Sequence, residues 1–182
     1  QATINGGGGA DSLTGTSKDD VFTGSDGNDT IDGGGGDDTL IETGNVNFVL
    51  GASTMTGLGS DSLTNIEFAV LTGGSGNNTL DASGFGGTVA LFGGAGNDIL
   101  KGGDGDDSIS GDAGNDTLSG NGGTNTLNGG TEIDQVCEIG DVDFTLEGTV
   151  LIGQLTSSLG TDDLIAIETA KLIGGDDDNT LD

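Results

Sequence analysis

A nine-residue period governs this chain of 182 residues. It is clearest over residues 93–110, where two consecutive copies read Gly-Gly-Ala-Gly-Asn-Asp-Ile-Leu-Lys and Gly-Gly-Asp-Gly-Asp-Asp-Ser-Ile-Ser. Both copies have glycine at positions one, two and four, aspartate at position six and an aliphatic residue at position eight. A short fixed period of this kind indicates a solenoid, because each copy can bury its apolar side chain only against its neighbours.

The period is kept in two arrays. The first has four copies over 6–41, and the second starts at Gly73, slips by two residues at 82–83 and stays in phase over 84–137. We expect residues seven to nine of each copy to form a short strand with only the eighth side chain facing a core. Position eight is apolar throughout, at Leu13, Phe22, Ile31, Leu40, Leu80, Leu91, Leu100, Ile109, Leu118, Leu127 and Val136.

The two segments that interrupt the arrays are copies of each other. Residues 44–50 match 140–146, and each segment then leads into a Gly-Gly repeat that ends Asn-Thr-Leu-Asp, at 78–81 and 179–182. The chain therefore contains a superrepeat of about one hundred residues, itself built from nonapeptides.

This organisation divides the chain into five parts that we interpret as one continuous solenoid. Apolar residues alternate at 46, 48 and 50, which predicts a half-buried strand inside a widened turn. The alternative is a separate globular insert, but each interrupting segment is short for a core of its own. The parts are an array at 1–41, degenerate or widened turns at 42–72, an array at 73–137, a second set of widened turns at 138–173 and the start of a further array at 174–182.

The composition points to a bound cation. There are 31 acidic and three basic residues, which gives a formal charge of −28 and makes nucleic acid or an anionic membrane an improbable partner. No apolar run approaches the length of a membrane span. So high a charge with few large apolar residues predicts disorder unless a cation binds. A single cysteine permits no internal disulfide, and a metal is the usual substitute in small extracellular domains.

The nonapeptide resembles the calcium-binding repeat of the RTX (repeats-in-toxin) family. The resemblance implies an all-β fold, a right-handed parallel β-roll or β-helix in which two nonapeptides make one turn. It also implies multiple Ca²⁺ ions between loops stacked 18 residues apart. Position-six carboxylates and loop carbonyls would hold these ions, as suits a hard cation that takes six or more oxygens.

Carried onto this sequence, the resemblance implies a set of metal ligands. Asparagine at position six removes a charge, so we expect the sites that contain it to be weaker or empty. The implied pairs are Asp11 with Asp29, Asp20 with Asp38, Asp98 with Asp116, Asp107 with Asn125, Asp116 with Asp134, and, in the weaker repeats, Asp61 with Asn78 and Asp162 with Asn179. The implied loop ligands are Gly7, Gly9, Gly94, Gly96, Gly103 and Gly105.

The remaining acidic residues have simpler interpretations. Those at positions three and five are expected to be solvated, namely Asp26, Asp37, Asp104 and Asp106. Glu67 and Glu168 follow matched isoleucines in the two superrepeat copies, where they could be carboxylate ligands or surface residues. We favour a structural role and assign no chemistry to them.

The function that the resemblance implies is that of a calcium-binding segment of a larger secreted bacterial protein. Such a segment would leave the cell through type I export machinery, fold on meeting calcium and act as an extender outside the cell or at its surface. The alternative is an accessory module of a secreted protease, lipase or alginate epimerase. Because the chain has no histidine and no nucleophile motif, we expect no catalysis from it. It opens and closes within arrays, so we also expect a longer parent protein.

Overall fold

The computed structural model of the chain describes residues 1–140, 145–149, 152–157 and 160–174. Twenty short strands in these ranges form two ten-stranded sheets, and no helix is present among them. The described part of the chain accordingly offers no helix that could cross a membrane.

The strands are divided equally between the two sheets. Sheet 1 contains β1 (Thr3–Asn5), β3 (Val21–Thr23), β5 (Thr39–Thr43), β9 (Phe68–Thr72), β11 (Thr88–Ala95), β13 (Ser108–Ala113), β15 (Gly123–Thr131), β17 (Thr145–Thr149), β18 (Ile152–Ser157) and β19 (Gly160–Ile165). Sheet 2 contains β2 (Ser12–Thr14), β4 (Thr30–Asp32), β6 (Phe48–Gly51), β7 (Thr54–Thr56), β8 (Ser60–Thr64), β10 (Thr79–Gly84), β12 (Ile99–Lys101), β14 (Thr117–Ser119), β16 (Gln135–Gly140) and β20 (Thr169–Gly174).

Within the arrays, successive strands alternate between the sheets. Strand β1 pairs with β3 in parallel, with Ile4 opposite Phe22, and β2 pairs with β4, with Leu13 opposite Ile31. The partners are 18 residues apart, so two nonapeptides make one turn. The chain is therefore a parallel β-roll, as the sequence predicts.

Position eight forms the core that this winding encloses. Every one of the eleven position-eight side chains is buried, and Phe22, Leu40 and Leu100 have no exposed surface. The flanking positions point outward, as Ile99 illustrates with 43% of its surface exposed beside the buried Leu100. A three-residue strand can supply only one inward side chain, because alternate side chains point to opposite faces.

The segment 42–72 widens one sheet without breaking it. Strands β6, β7 and β8 form an antiparallel meander in sheet 2, in which β8 pairs with β4 and β6 pairs with β10, both in parallel. The predicted half-buried strand is β6, where Phe48 and Leu50 are buried and Val49 is 52% exposed. The turn back into β7 was not predicted.

The second copy of this meander lies in the opposite sheet. Strands β17, β18 and β19 are antiparallel neighbours in sheet 1, and β19 pairs in parallel with β15. Each meander is followed by one strand across the roll, which is β9 in sheet 1 for the first copy and β20 in sheet 2 for the second. Between β9 and β20, the chain crosses from one sheet to the other an odd number of times. The two copies of the meander therefore lie in opposite sheets.

Candidate metal centres

The loops between strands stack along two edges of the β-roll. Loops that run from sheet 1 to sheet 2 form what we call the first edge, and loops that run from sheet 2 to sheet 1 form the second edge. The first edge holds position-six residues Asp11, Asp29, Asp61, Asn78, Asp98, Asp116 and Asp134. The second edge holds Asp20, Asp38, Asp107, Asn125 and Asp162.

Position-six carboxylates tie successive turns together. The backbone N–H of Asp98 donates to Oδ1 of Asp116 at 2.7 Å, and the N–H of Asp116 donates to Oδ1 of Asp134 at 2.8 Å. The same bond joins Asp11 to Asp29 at 2.9 Å. On the second edge, it joins Asp20 to Asp38 and Asp107 to Asn125. The structure therefore brings together all five pairs that the regular repeats predict.

The other oxygen of many of these carboxylates has no partner. The Oδ2 atom is buried and accepts no hydrogen bond in Asp11, Asp29, Asp38, Asp98, Asp116 and Asp134. Burying a carboxylate oxygen without a donor costs free energy, which a cation or a proton can offset. Such hard, anionic oxygens are the donors that Ca²⁺ prefers, so the residues present fit a calcium ion.

Side chains alone do not complete a coordination shell. Across the described ranges, no group of three or more Asp, Glu, His or Cys side chains is arranged to hold a metal ion. Backbone carbonyls of the loops would therefore have to supply the remaining oxygens, as the resemblance implies for the loop glycines.

Four of the six predicted loop glycines, Gly94, Gly96, Gly103 and Gly105, are placed for close stacking on the preceding turn, whereas Gly7 and Gly9 have open space around them. Gly94 has φ of +99°, and a Cβ there would lie 2.3 Å from the carbonyl oxygen of Gly74. At Gly103, a Cβ would lie 2.2 Å from the carbonyl oxygen of Phe85. A side chain at either position would collide with the preceding turn. Four of the six predicted glycines have positive φ: Gly7, Gly9, Gly94 and Gly96. The other two, Gly103 and Gly105, do not.

Burial opposes ionisation of four of the position-six carboxyl groups. Loss of solvent raises the pKa of Asp38, Asp98 and Asp134, and the charges of neighbouring carboxylates raise it further. The same burial, with the charges of Asp134, Asp98 and Asp112, raises the pKa of Asp116 to about 6. Each group thus favours a bound positive charge, whether a proton or a metal ion.

Other position-six residues are already satisfied by their own loop. Oδ2 of Asp20 accepts hydrogen bonds from the N–H and the hydroxyl of Thr16, at 2.6 and 2.8 Å. Burial opposes ionisation of Asp20, but these bonds and the hydrogen bond that Oδ1 accepts from the N–H of Ala2 act against it, and the pKa is lowered. Oδ2 of Asp107 accepts the N–H of Gly103 at 2.7 Å. The free oxygens are therefore concentrated on the first edge, and Asp38 is the one member of that set on the second.

One predicted pair is wrong, and a residue of another predicted pair bonds to a different partner. Asp61 does not meet Asn78, because β7 and β6 lie between their strands, and Oδ1 of Asp61 instead accepts the N–H of Asp29 at 2.9 Å. Asp162 accepts a hydrogen bond from the Asn125 side chain at 2.7 Å. Its predicted partner Asn179 lies outside the described residues.

A second ladder runs along position five. Oδ1 of Asn97 accepts the N–H of Asn115 at 3.0 Å, and Oδ1 of Asp106 accepts the N–H of Thr124 at 2.8 Å. The side chain at position five thus accepts a backbone N–H from the following turn, whereas the side chain at position six accepts one from the preceding turn. Asp106 is exposed, as predicted, but it also holds the next loop in place.

Glu67 and Glu168 extend the position-six ladder at the meanders. Oε2 of Glu67 accepts the N–H of Asp38 at 2.9 Å, and Oε2 of Glu168 accepts the N–H of Asp134 at 2.7 Å. Both therefore have the structural role that the sequence predicts.

Two buried glutamates were missed in the sequence. Glu42 and Glu138 are 1% and 3% exposed, and they lie 18 residues after Gly24 and Gly120, where the nonapeptide frame calls for glycine. They are also at matching positions of the two superrepeat copies. Their departure from the repeat, in duplicate, was the signal that could have revealed them.

The register of the sheets explains why these glutamates point inward. Leu40 faces Ala69 and Glu42 faces Leu71 in the first copy, and Glu138 faces Leu172 in the second. The row of inward-facing side chains therefore shifts by two residues at each meander. This shift places Glu42 opposite Leu71 and Glu138 opposite Leu172.

A family model agrees with the nonapeptide organisation. The family model of the RTX calcium-binding nonapeptide repeat matches residues 5–40, 70–89, 90–118 and 102–136, which together make up more than half of the chain. No curated protein sequence gives a significant match. Among solved structures, the chain is similar to the extracellular lipase LipA from Serratia marcescens, with 18% identity and a TM-score of 0.31. The match covers 87% of this chain and 36% of the lipase chain. With the repeats matched over most of both arrays and wound as a parallel β-roll, the chain belongs to the RTX calcium-binding nonapeptide-repeat family.

Proposed function

We propose that this chain is a structural calcium-binding segment of a secreted protein, and that calcium switches on its folding outside the cell. The observation that carries the proposal is the row of buried aspartate oxygens without hydrogen-bond partners along the loop edges. A chain with a charge of −28 cannot leave such oxygens unneutralised without losing stability.

Calcium, when bound, would supply the positive charge that these oxygens lack. Asp11, Asp29, Asp98, Asp116 and Asp134 would hold it on the first edge, and Asp38 on the second. Except in Asp11, the Oδ1 atom of each of these carboxylates accepts a backbone N–H from the preceding turn. Asp11 donates its N–H to the first of these bonds, the one accepted by Asp29. Ion binding would therefore stabilise the stacking of turns, and only the folded state presents the paired loops, so the ion favours folding by mass action.

The extracellular setting follows from calcium supply. Extracellular calcium modules have dissociation constants of roughly 10⁻⁴–10⁻³ M, far above cytosolic calcium. The chain would remain unfolded inside the cell, which suits passage through type I export machinery, and would fold after release. Its single cysteine excludes an internal disulfide, so calcium would take the place of such a crosslink.

The role within the parent protein is that of an extender and not of a catalyst. The chain contains no histidine, and its buried carboxylates are engaged in joining turns. The superrepeat of about one hundred residues supports an architecture that grows by adding copies.

The test is a calcium titration of the chain after treatment with a chelator. Far-ultraviolet circular dichroism should show a largely disordered chain that gains β-structure cooperatively as calcium rises into the millimolar range. Magnesium at the same concentration should give little change, because it needs a compact octahedral site and retains its water. Equal β-structure in excess chelator and in calcium would overturn the proposal.

A further inference from the structure

At the exit from the first array, three buried carboxylates gather beside one loop. Oε1 of Glu42 accepts the N–H groups of Gly24 and Ser25 at 2.5 and 3.1 Å. A Cβ on Gly24 would lie 2.7 Å from Oδ2 of Asp29 and 3.3 Å from Oε1 of Glu42, so these two oxygens flank the same backbone atom. Asp61 joins them through its bond to the N–H of Asp29. We call Asp29, Glu42 and Asp61 the exit cluster.

One oxygen of the exit cluster has no partner. Asp29 is 2% exposed and its Oδ2 accepts no hydrogen bond, while Asp61 is 3% exposed. Burial raises the pKa of Glu42, and the charges of Asp61 and Asp29 raise it further. Among the described residues, no lysine forms an ion pair with a member of the exit cluster, and Lys101 is paired with Asp81.

The second superrepeat copy contains the same cluster with one substitution. Gly120, Asn125, Glu138 and Asp162 correspond to Gly24, Asp29, Glu42 and Asp61. Oε1 of Glu138 accepts the N–H of Gly120 at 2.6 Å, which repeats the bond made by Glu42. The aspartate with the free oxygen is thus replaced by Asn125.

The amide of Asn125 has an orientation fixed by the ladder. Its Oδ1 accepts the N–H of Asp107 at 2.8 Å, so its Nδ2 must face the cluster. There Nδ2 donates to Oδ1 of Asp162 at 2.7 Å and to the carbonyl oxygen of Gly122 at 3.0 Å. An N–H₂ group therefore occupies the place where the first copy has a bare oxygen, and it binds the oxygens that a cation would bind.

We infer that the exit cluster is a calcium site of its own, with Glu42 as an added carboxylate ligand, and that Asn125 closes the equivalent site in the second copy. The inference rests on the proposed function, because it assumes that calcium is the cation. The three carboxylates do not yet surround a single point in the structure, so binding would draw them together.

The test is the number of calcium ions bound per chain, measured by equilibrium dialysis with radioactive calcium at fixed free calcium. Glu42→Gln should bind one ion fewer than the unaltered chain, because glutamine keeps the acceptor for Gly24 and Ser25 but loses the charge. Glu138→Gln is the matched control and should bind the same number as the unaltered chain. Circular dichroism in saturating calcium would confirm that both variants are folded.

A gain of binding gives an independent test. Asn125→Asp should add one ion, and that gain should vanish in the double variant Asn125→Asp with Glu138→Gln. A gain that survives in the double variant would assign the new ion to the ordinary loop pair with Asp107 and would overturn the inference.

The outcome for Glu42 separates this inference from the proposed function. If Glu42→Gln binds as many ions as the unaltered chain, the exit cluster is a structural cap and the inference is wrong, while the calcium function stands. If the unaltered chain binds no calcium, the proposed function itself is wrong.

Discussion

The backbone N–H of Asp98 donates to Oδ1 of Asp116, while Oδ2 of the same Asp116 side chain is buried without a partner. One carboxylate thus joins two turns with one oxygen and leaves the other for a cation. The two oxygens of this residue can be separated by substitution, because asparagine keeps the first and replaces the second with an N–H₂ group.

We expect Asp116→Asn to have opposite effects on the two states of the chain. Calcium affinity should fall by about ten-fold, or ~1.4 kcal/mol, because a charged ligand is lost. The calcium-free chain should gain β-structure, because the substitution removes a buried charge that burial and the charges of Asp134, Asp98 and Asp112 disfavour. Calcium titration would measure the first effect, and far-ultraviolet circular dichroism in chelator would measure the second.

The matched control for Asp116→Asn is Asp104→Asn. It makes the same change in charge at an exposed position three, so both quantities should stay close to those of the unaltered chain. Equal effects of the two substitutions would mean that overall charge, and not the position-six site, controls calcium affinity.

Without calcium, the chain should be more stable in mild acid than at neutral pH. Burial raises the pKa of Asp116 and Asp162 to about 6 and that of Glu138 to about 7, from ordinary values of 3.8 and 4.5. Between the ordinary and the raised values, the folded state binds more protons than the unfolded state. The free energy of unfolding therefore falls as pH rises through this window.

Far-ultraviolet circular dichroism in chelator at pH 5 and at pH 7.5 would measure this dependence, with more β-structure expected at pH 5. Saturating calcium should reduce the difference, because the ion replaces the protons. More β-structure at pH 7.5 than at pH 5 in chelator would contradict the assignment of these buried carboxyl groups.

Adjacent residues of one strand should respond very differently to truncation. Leu100 is fully buried at position eight, whereas Ile99 is 43% exposed. Leu100→Ala should lower the free energy of unfolding of the calcium-loaded chain by about 2–5 kcal/mol. Ile99→Ala should change it by less than about 1 kcal/mol. Urea midpoints in saturating calcium would check both, and similar losses would contradict the single inward side chain per strand.

The stability lost when a loop glycine is replaced with alanine should depend on the space around that glycine. Gly34 has φ of +94° and a Cβ there would lie 2.2 Å from the carbonyl oxygen of Thr16, whereas Gly7 has φ of +87° with open space around it. Alanine at Gly7 should cost only the left-handed strain of ~1–2 kcal/mol, and alanine at Gly34 should cost more.

Gly8→Ala completes the loop series. Gly8 has neither a positive φ nor a neighbour within 4 Å, so we expect a change near zero or a slight gain in stability. Thermal denaturation in saturating calcium would rank the three variants. An equal loss at all three would mean that flexibility of the unfolded chain, and not loop geometry, selects glycine.

The regular part of the fold could be predicted because one residue decides each strand. A buried position eight, such as Phe22, marks where each strand lies. The 18-residue turn, and with it the pairs of position-six aspartates, was implied by the resemblance to the RTX family.

The meanders could not be predicted in the same way, because their pairing is not set by the period. Asp61 pairs with Asp29 across an insertion that the sequence does not mark with a tight-turn signal. Which oxygens remain free also depends on local loop closure, as the contrast between Asp20 and Asp38 shows. Glu42 replaces a glycine of the repeat, so the period assigns it no role, and only its match with Glu138 in the second copy marks it.

The placement of the two meanders on opposite sheets has a mechanical consequence. Each meander adds two strands, or about 10 Å of length, to one side of the roll, so we expect the axis to curve away from that side. The first copy lengthens sheet 2 and the second lengthens sheet 1, so that each sheet ends with ten strands. A rod built from pairs of such superrepeats would cancel its own curvature and could transmit tension along a nearly straight line.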